Sequence, residues 1–345
     1  MTKRRPSLAA CAALTMALAG CAHTRSSVTQ STIPPGAPAP AAPPGGWQTT
    51  LRAHHPLVGR IWSVADKRFV SPDELLGALA RARYVLLGEK HDNADAHGLQ
   101  AWAIASLVQS GRRPAMVFEQ LRRDQQQVLT SYAGKGAGGT RELGTALEWD
   151  KSGWPAWSMY EGLFALALEH HLPIVAGDLS KEDLTQLRKP TLDDLPPADR
   201  QRYGLDMPPT PAQVAALVGE LKASHCGYGN DAMFSRMVAV QWARDAQLAA
   251  SLVDAAQKAD GAVLVAGSGH ARSDRGAPLH LAHFDPFGTA RAVAFLEVIE
   301  GVGDPQAYTE PGDATLPYDF VYFTPRVDED DPCAGIREHM QKQKT

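Results

Sequence analysis

Short apolar runs punctuate the chain at residues 84–87, 116–118, 174–176, 262–266, 293–299 and 320–323, and helical patterns fill most of the intervals between them. That alternation predicts an α/β fold, a mostly parallel sheet flanked by helices. Little helix separates the last two runs, which are therefore expected to be antiparallel edge strands. Ser71-Pro72-Asp73-Glu74 has the form of a capping box, with proline at the first helical position, and predicts a helix to about Ala82. Residues 134–140 hold four glycines and read as a flexible break. Six prolines in residues 189–211 interrupt the alternation and open a smaller helical lobe, completed by helices over 211–224 and 231–258. Along the second of these helices Met233, Met237, Val240, Arg244, Leu248 and Leu252 form a stripe at helical spacing. Arg244 thus takes a core-facing position. It either snorkels to the helix edge or forks a carboxylate in a site, and Gln241 and Asp245 on the same face favour the second.

The N-terminal pattern is of another kind. Lys3, Arg4 and Arg5 precede an apolar stretch over residues 8–19, too short for a stable span, which reads as a signal peptide over residues 1–20. It ends in Leu18-Ala19-Gly20-Cys21, which resembles a bacterial lipobox and marks Cys21 for lipidation, palmitate included, at the mature N-terminus. Ala22, where inner-membrane lipoproteins carry Asp, implies outer-membrane sorting with the body facing the periplasm. Residues 22–46 hold six prolines and read as an extended tether with a reach of about 75 Å. The folded domain is expected over residues 50–326, followed by a polar tail over 327–345. No apolar run after the tether approaches a membrane span, so the body is expected to be water-soluble.

Removing residues 1–20 takes away three of the 34 basic residues and none of the 38 acidic ones, leaving a net charge of −7. That balance argues against nucleic acid as a partner. Of four cysteines, Cys11 leaves with the signal peptide and Cys21 is acylated, so Cys226 and Cys333 remain in a compartment that permits a disulfide. The sequence leaves their pairing open.

The polar residues collect at the strand exits. Residues 84–87 lead into Gly88-Glu89-Lys90-His91-Asp92, 116–118 into Glu119, 174–176 into Gly177-Asp178, and 262–266 into Gly267-Ser268-Gly269-His270. Ligands of open α/β sheets bind beyond the carboxyl ends of the strands, so Glu89, His91, Glu119, Asp178 and His270 are expected to converge. Two imidazoles and several carboxylates suit a metal or an acid/base set. Asp92 is expected to cap the following helix, and Asp178 is equally well a cap or a functional group. Trp149, Trp154, Trp157 and Tyr160 read as core or staple aromatics, and His54, His55, His170, His171, His280 and His283 as ordinary surface or core residues. No phosphate-binding glycine loop or nucleophile elbow is present: Arg272 stands where the dinucleotide fingerprint needs its third glycine.

These residues resemble the ChaN-like haem-binding lipoproteins of the Tiki superfamily. The resemblance rests on residues 85–93, Phe118-Glu119, Trp154-Pro155-x-Trp157-x-x-Tyr160, His225-Cys226-Gly227, Gln241-x-x-Arg244-Asp245 and residues 267–270, spread over nearly the whole folded part. It implies haem binding for iron uptake at the cell envelope, in a cleft between strand exits and lobe or at a homodimer interface. Tyr160, Tyr228 and His225 are the implied iron donors, with His91, His270 and Arg244 toward the propionates. The superfamily also contains Tiki-type proteases and erythromycin esterases. A rival expectation is therefore a metal-dependent hydrolase, with Zn or Mn held by His91, Glu119 and His270 and Glu89 as general base. A scaffold lipoprotein without a ligand is the third.

Overall fold

The computed structural model describes residues 33–187, 195–310, 313–331, 333, 334 and 337. The signal peptide, Cys21, the start of the tether, residues 189–194 of the lobe and most of the tail lie outside them. Eight strands form one sheet: β1 (Ile61–Ser63), β2 (Arg68–Val70), β3 (Tyr84–Glu89), β4 (Ala115–Arg122), β5 (Ile174–Asp178), β6 (Ala262–Gly267), β7 (Ala290–Glu297) and β8 (Phe320–Thr324). The described helices are α1 (Pro72–Ala80), α2 (Ala94–Gln109), α3 (Gln126–Tyr132), α4 (Thr140–Ala146), α5 (Trp157–Glu169), α6 (Lys181–Leu187), α7 (Pro197–Arg202), α8 (Pro211–Ser224), α9 (Asp231–Ala256) and α10 (Ala277–Phe284).

The strand order is β2-β1-β8-β7-β3-β6-β4-β5, with β3 to β8 mutually parallel where they pair and β1 antiparallel to both neighbours. This corrects the expectation for the last two runs: β7 and β8 are parallel and interior, and the antiparallel edge is the β1–β2 hairpin. Alternation along each strand divides the core into two layers. Val85 and Leu87 join Leu99, Ile104, Leu163 and Phe164 on one face, while Tyr84 and Leu86 join Leu248, Leu252 and Leu281 on the other. Phe164 lies at the centre of the first layer, stacked 4.3 Å from Phe118 and 4.8 Å from Trp157.

Helix starts follow local chemistry. Ser71 accepts from the Glu74 amide at 3.2 Å while Glu74 reaches back to the Ser71 amide at 3.0 Å, a complete capping box at α1. At α2 the cap is Asn93, whose side chain accepts from Asp95 and Ala96; Asp92, the expected cap, lies one residue too early and is exposed. Helix α9 spans 26 residues, about 39 Å at the helical rise. Its second half packs on the sheet, and its first half carries the lobe, where Trp242 and Val238 meet Leu217 of α8.

Both sheet edges are blunted. β2 has three residues. On β5 the Gln126 side chain imitates a neighbouring strand, accepting from the Ala176 amide at 2.8 Å and donating to the Ile174 carbonyl at 3.0 Å. The second half of the expected tether is not extended into solvent. Ala41 donates to the Gly59 carbonyl at 2.8 Å, Tyr322 donates to the Ala41 carbonyl at 2.9 Å, and Arg60 donates to the Pro38 carbonyl at 2.8 Å, so residues 33–46 lie along the domain. An extended proline-rich segment leaves its carbonyls unpaired, and these donors take them up. Cys226 and Cys333 form a disulfide across 107 residues, tying the turn between α8 and α9 to the segment after β8. Among the described residues no helix is long and apolar enough to cross a membrane.

Replacing Phe164 with Ala removes the middle ring of the stack. It is expected to cost about 3–5 kcal/mol, read as a lower urea midpoint with unchanged far-ultraviolet circular dichroism before the transition.

Candidate functional site

Parallel strands deliver their last residues to one edge of a sheet, and the order β3-β6-β4-β5 makes the four charged exits neighbours. Two features let them approach. A Cβ on Gly88 would lie 2.8 Å from the Ser268 backbone, which excludes a side chain there, and one on Gly267 would lie 2.9 Å from the His91 ring and displace it.

Glu119 is the first hub. Its Oε1 receives Arg244 Nη2 at 2.9 Å and faces His270 Nε2 at 3.1 Å, and its Oε2 accepts the Gly267 amide at 2.7 Å. Arg244 also forks Asp178, with Nε 3.0 Å and Nη2 2.8 Å from Oδ2. His270 Nδ1 lies 2.6 Å from Asp245 Oδ1, with the Gln241 amide 3.3 Å away. Burial opposes charge on these groups, but the pairing outweighs it. Glu119 is held well below the usual carboxylate range by His270 and Arg244, and His270 is raised to about 10 by Glu119 and Asp245. The centre is a set of fixed ions.

Glu89 is the second hub. Its Oε1 accepts Tyr160 at 2.8 Å and the Gln120 amide at 3.0 Å, and faces His91 Nδ1 at 3.0 Å. His97 Nδ1 lies 3.0 Å from Oε2 but off the line of a hydrogen bond, which leaves Oε2 buried without a hydrogen-bond partner. Burial raises the Glu89 carboxyl, yet the nearby charge of His97 and the hydrogen bond of His91 bring it below its ordinary value. His97 also meets the His91 carbonyl at 2.9 Å through Nε2, and went unrecognised in the sequence. Its place one turn after the cap Asn93, on the face of α2 that carries Gln100, was the available signal. Trp154 packs edge-on to His91 at 4.8 Å, and a cleft of about 300 Å³ opens beside it, lined by Glu119, Gln120, Arg122, Ser152, Gly153, Trp154 and Asp178.

The strand-exit candidates Glu89, His91, Glu119, Asp178, Arg244 and His270 thus come together, but several are already committed. His270 presents both nitrogens to carboxylates, so as an imidazolium it has no lone pair for a metal. Accordingly the expected set His91, Glu119 and His270 does not form a metal-holding group, and no three His, Cys, Asp or Glu among the described residues do. Arg244 faces the protein's own carboxylates rather than a propionate. Tyr160 is fully buried and donates to Glu89, and burial together with that carboxylate pushes its phenol far above the ordinary range. Tyr228 and His225 lie elsewhere, on the turn before α9; Arg244 is 13 residues into that helix, about 20 Å along its axis. The expected single cleft joining lobe donors to strand exits is therefore two places. His280 is a core residue, its two ring nitrogens buried without partners and its pKa pushed by burial to about 4.

The sequence pattern of the family described as haem-binding uptake, Tiki superfamily, ChaN matches residues 75–281. No curated protein matches the sequence. Among solved structures, "Cofacial heme binding to ChaN of Campylobacter jejuni" is 21% identical, with a TM-score of 0.59, and covers 76% of this chain and 95% of its own. The type III effector HopBA1 is 16% identical, with a TM-score of 0.40, covering 73% and 92%. An erythromycin esterase, EreC, in its open conformation is 17% identical, with a TM-score of 0.36, covering 86% of each chain.

The raised His270 fixes a sign for stability. Its contribution is complete below its ordinary value of 6.5 and is lost as pH rises through about 10. Urea midpoints measured from pH 7 to 11 are expected to fall more steeply in the native chain than in His270→Gln, which lacks this proton; parallel curves would refute the imidazolium.

Proposed function

This chain belongs to the ChaN family of haem-binding uptake proteins in the Tiki superfamily, and from that premise we propose that it is an envelope lipoprotein that carries haem on the turn between α8 and α9. The observation that carries the site is the state of His225. Its Nδ1 lies 2.8 Å from the Leu221 carbonyl. A carbonyl only accepts, so Nδ1 holds the hydrogen, and in the neutral ring Nε2 keeps its lone pair. That is the orientation of most metal-bound histidines. Three residues on, Tyr228 is 37% exposed, and its hydroxyl makes no hydrogen bond to the described residues. Histidine and tyrosine both serve as haem donors. Arg337, which pairs with Asp331, lies within electrostatic reach of Tyr228.

Bound haem supplies an iron centre that exchanges axial ligands. The chain's part is to hold that centre, orient its donors and keep them from competing hydrogen bonds. A turn on the surface would hold a flat porphyrin from one side only. We read this as support for a homodimer in which a second copy closes the open face, in keeping with the cofacial haem described for the Campylobacter jejuni protein. The basic n-region, the lipobox at Cys21 and Ala22 support export, lipidation and outer-membrane retention, and the Cys226–Cys333 bond suits an oxidising periplasm. Haem held there serves iron uptake.

Titration of the purified chain with hemin is expected to give a saturable Soret shift. Tyr228→Phe and His225→Ala should each weaken it about tenfold or more, the scale of losing one donor interaction of about 1.4 kcal/mol or above. Tyr160→Phe should leave it unchanged. Loss of binding in Tyr160→Phe alone, with native circular dichroism, would return the site to the sheet.

A further inference from the structure

The turn that holds His225 and Tyr228 also holds Cys226. From this juxtaposition we propose that the Cys226–Cys333 disulfide is a thiol-sensitive clasp on haem binding: with the bond closed the turn is ordered for haem, and a dithiol that opens it releases the haem. The inference rests on the haem reading above and adds its regulation.

The turn has little of its own to hold its shape. Cys226 has φ +55°, a left-handed conformation that costs a residue with a Cβ, and Gly227 follows at φ +76°. Gly229 sits at φ +146°, where a Cβ would lie 2.7 Å from the Phe234 ring. Three backbone hydrogen bonds close the segment: Cys226 to the Ala223 carbonyl at 3.0 Å, Gly227 to that of Lys222 at 2.7 Å, and Tyr228 to that of His225 at 2.9 Å. No buried apolar side chain lies between His225 and Asn230. What fixes the turn from outside is the bond to Cys333, on a segment held to the sheet by the Val327 amide on Glu297 at 2.9 Å and by the pairing of Leu51 with Arg326. The disulfide is thus the covalent tie between the lobe tip and the α/β body, and it spans 107 residues. Both cysteines are only partly buried, so a thiolate can reach them.

The chemistry balances as thiol–disulfide exchange. One thiolate of an incoming dithiol attacks a sulfur of the bond and forms a mixed disulfide; its second thiolate resolves it. The dithiol is oxidised to a disulfide, and Cys226 and Cys333 are reduced to thiols. Cys226 is then free to leave its left-handed conformation, and His225 and Tyr228 lose their fixed separation. Affinity falls because the donors must be ordered again at each binding event.

The test compares three forms of the full chain: the oxidised protein, the protein reduced and alkylated with iodoacetamide before removal of the reagents, and Cys226→Ser/Cys333→Ser. Each is titrated with hemin by absorbance, and hydrogen exchange over residues 222–231 is followed without haem. The expected result is a Kd at least tenfold higher in both opened forms, with faster exchange confined to the turn. Equal Kd values within twofold, or unchanged exchange, would overturn the clasp while leaving haem binding intact. If the serine variant fails to fold, the alkylated protein decides. No Soret shift in the oxidised protein overturns the haem reading and the clasp with it, a failure distinguishable from the first because it precedes any reduction.

Discussion

A carboxylate sealed away from water sets the terms for the rest of the structure. Glu119 stays ionised at the end of β4 only because an imidazolium, a guanidinium and a backbone amide surround it. A buried anion without such partners costs several kcal/mol. Meeting that demand places Arg244, and Arg244 places α9. The helix must cross the exits of β4 and β5 at the height that lets one guanidinium reach both Glu119 and Asp178. Once its second half is fixed there, its first half projects beyond the sheet and carries α8 and the lobe. The position of the turn that carries His225 and Tyr228 is therefore dictated about 20 Å away, by electrostatics at the strand exits.

The two polar centres differ in what they leave free. At the strand exits the charges satisfy one another, and the group is rigid because each ion is held by at least one opposite charge. On the lobe turn the donors are spare. One imidazole nitrogen of His225 and the phenol of Tyr228 have no hydrogen-bond partner among the described residues. The satisfied charges and the unpaired polar groups thus lie at separate ends of α9.

What the sequence disclosed, and what it concealed, follows from the range of the interactions. Residues 85–87, 116–118 and 262–266 announce their strands because both faces are apolar, and Ser71-Pro72-Asp73-Glu74 announces α1 because a capping box is a contact between residues three apart. The β1–β2 hairpin escaped notice because three-residue strands show no period. β7 and β8 misled because a parallel crossover usually needs a helix, whereas here an irregular stretch with one short turn at Pro305–Tyr308 makes it. Residues 33–46 read as tether from composition, which reports that the segment cannot fold alone and not that it cannot be bound. The convergence of Glu89, Glu119 and His270 was legible from strand polarity. Their mutual neutralisation was not, since which nitrogen faces which oxygen is decided only in three dimensions, and the same holds for Tyr160, whose spacing fits a donor but whose hydroxyl is spent on Glu89.

Gln126 on the open edge of β5 bears on how copies of this protein meet. By occupying the Ile174 carbonyl and the Ala176 amide, one side chain removes the template on which two sheets would merge into a continuous one. Wherever copies meet at high local density, edge pairing, once begun, propagates as a polymer. With that route closed, any association is left to side-chain contacts, which need not propagate. The glutamine thereby bars unlimited growth at that edge.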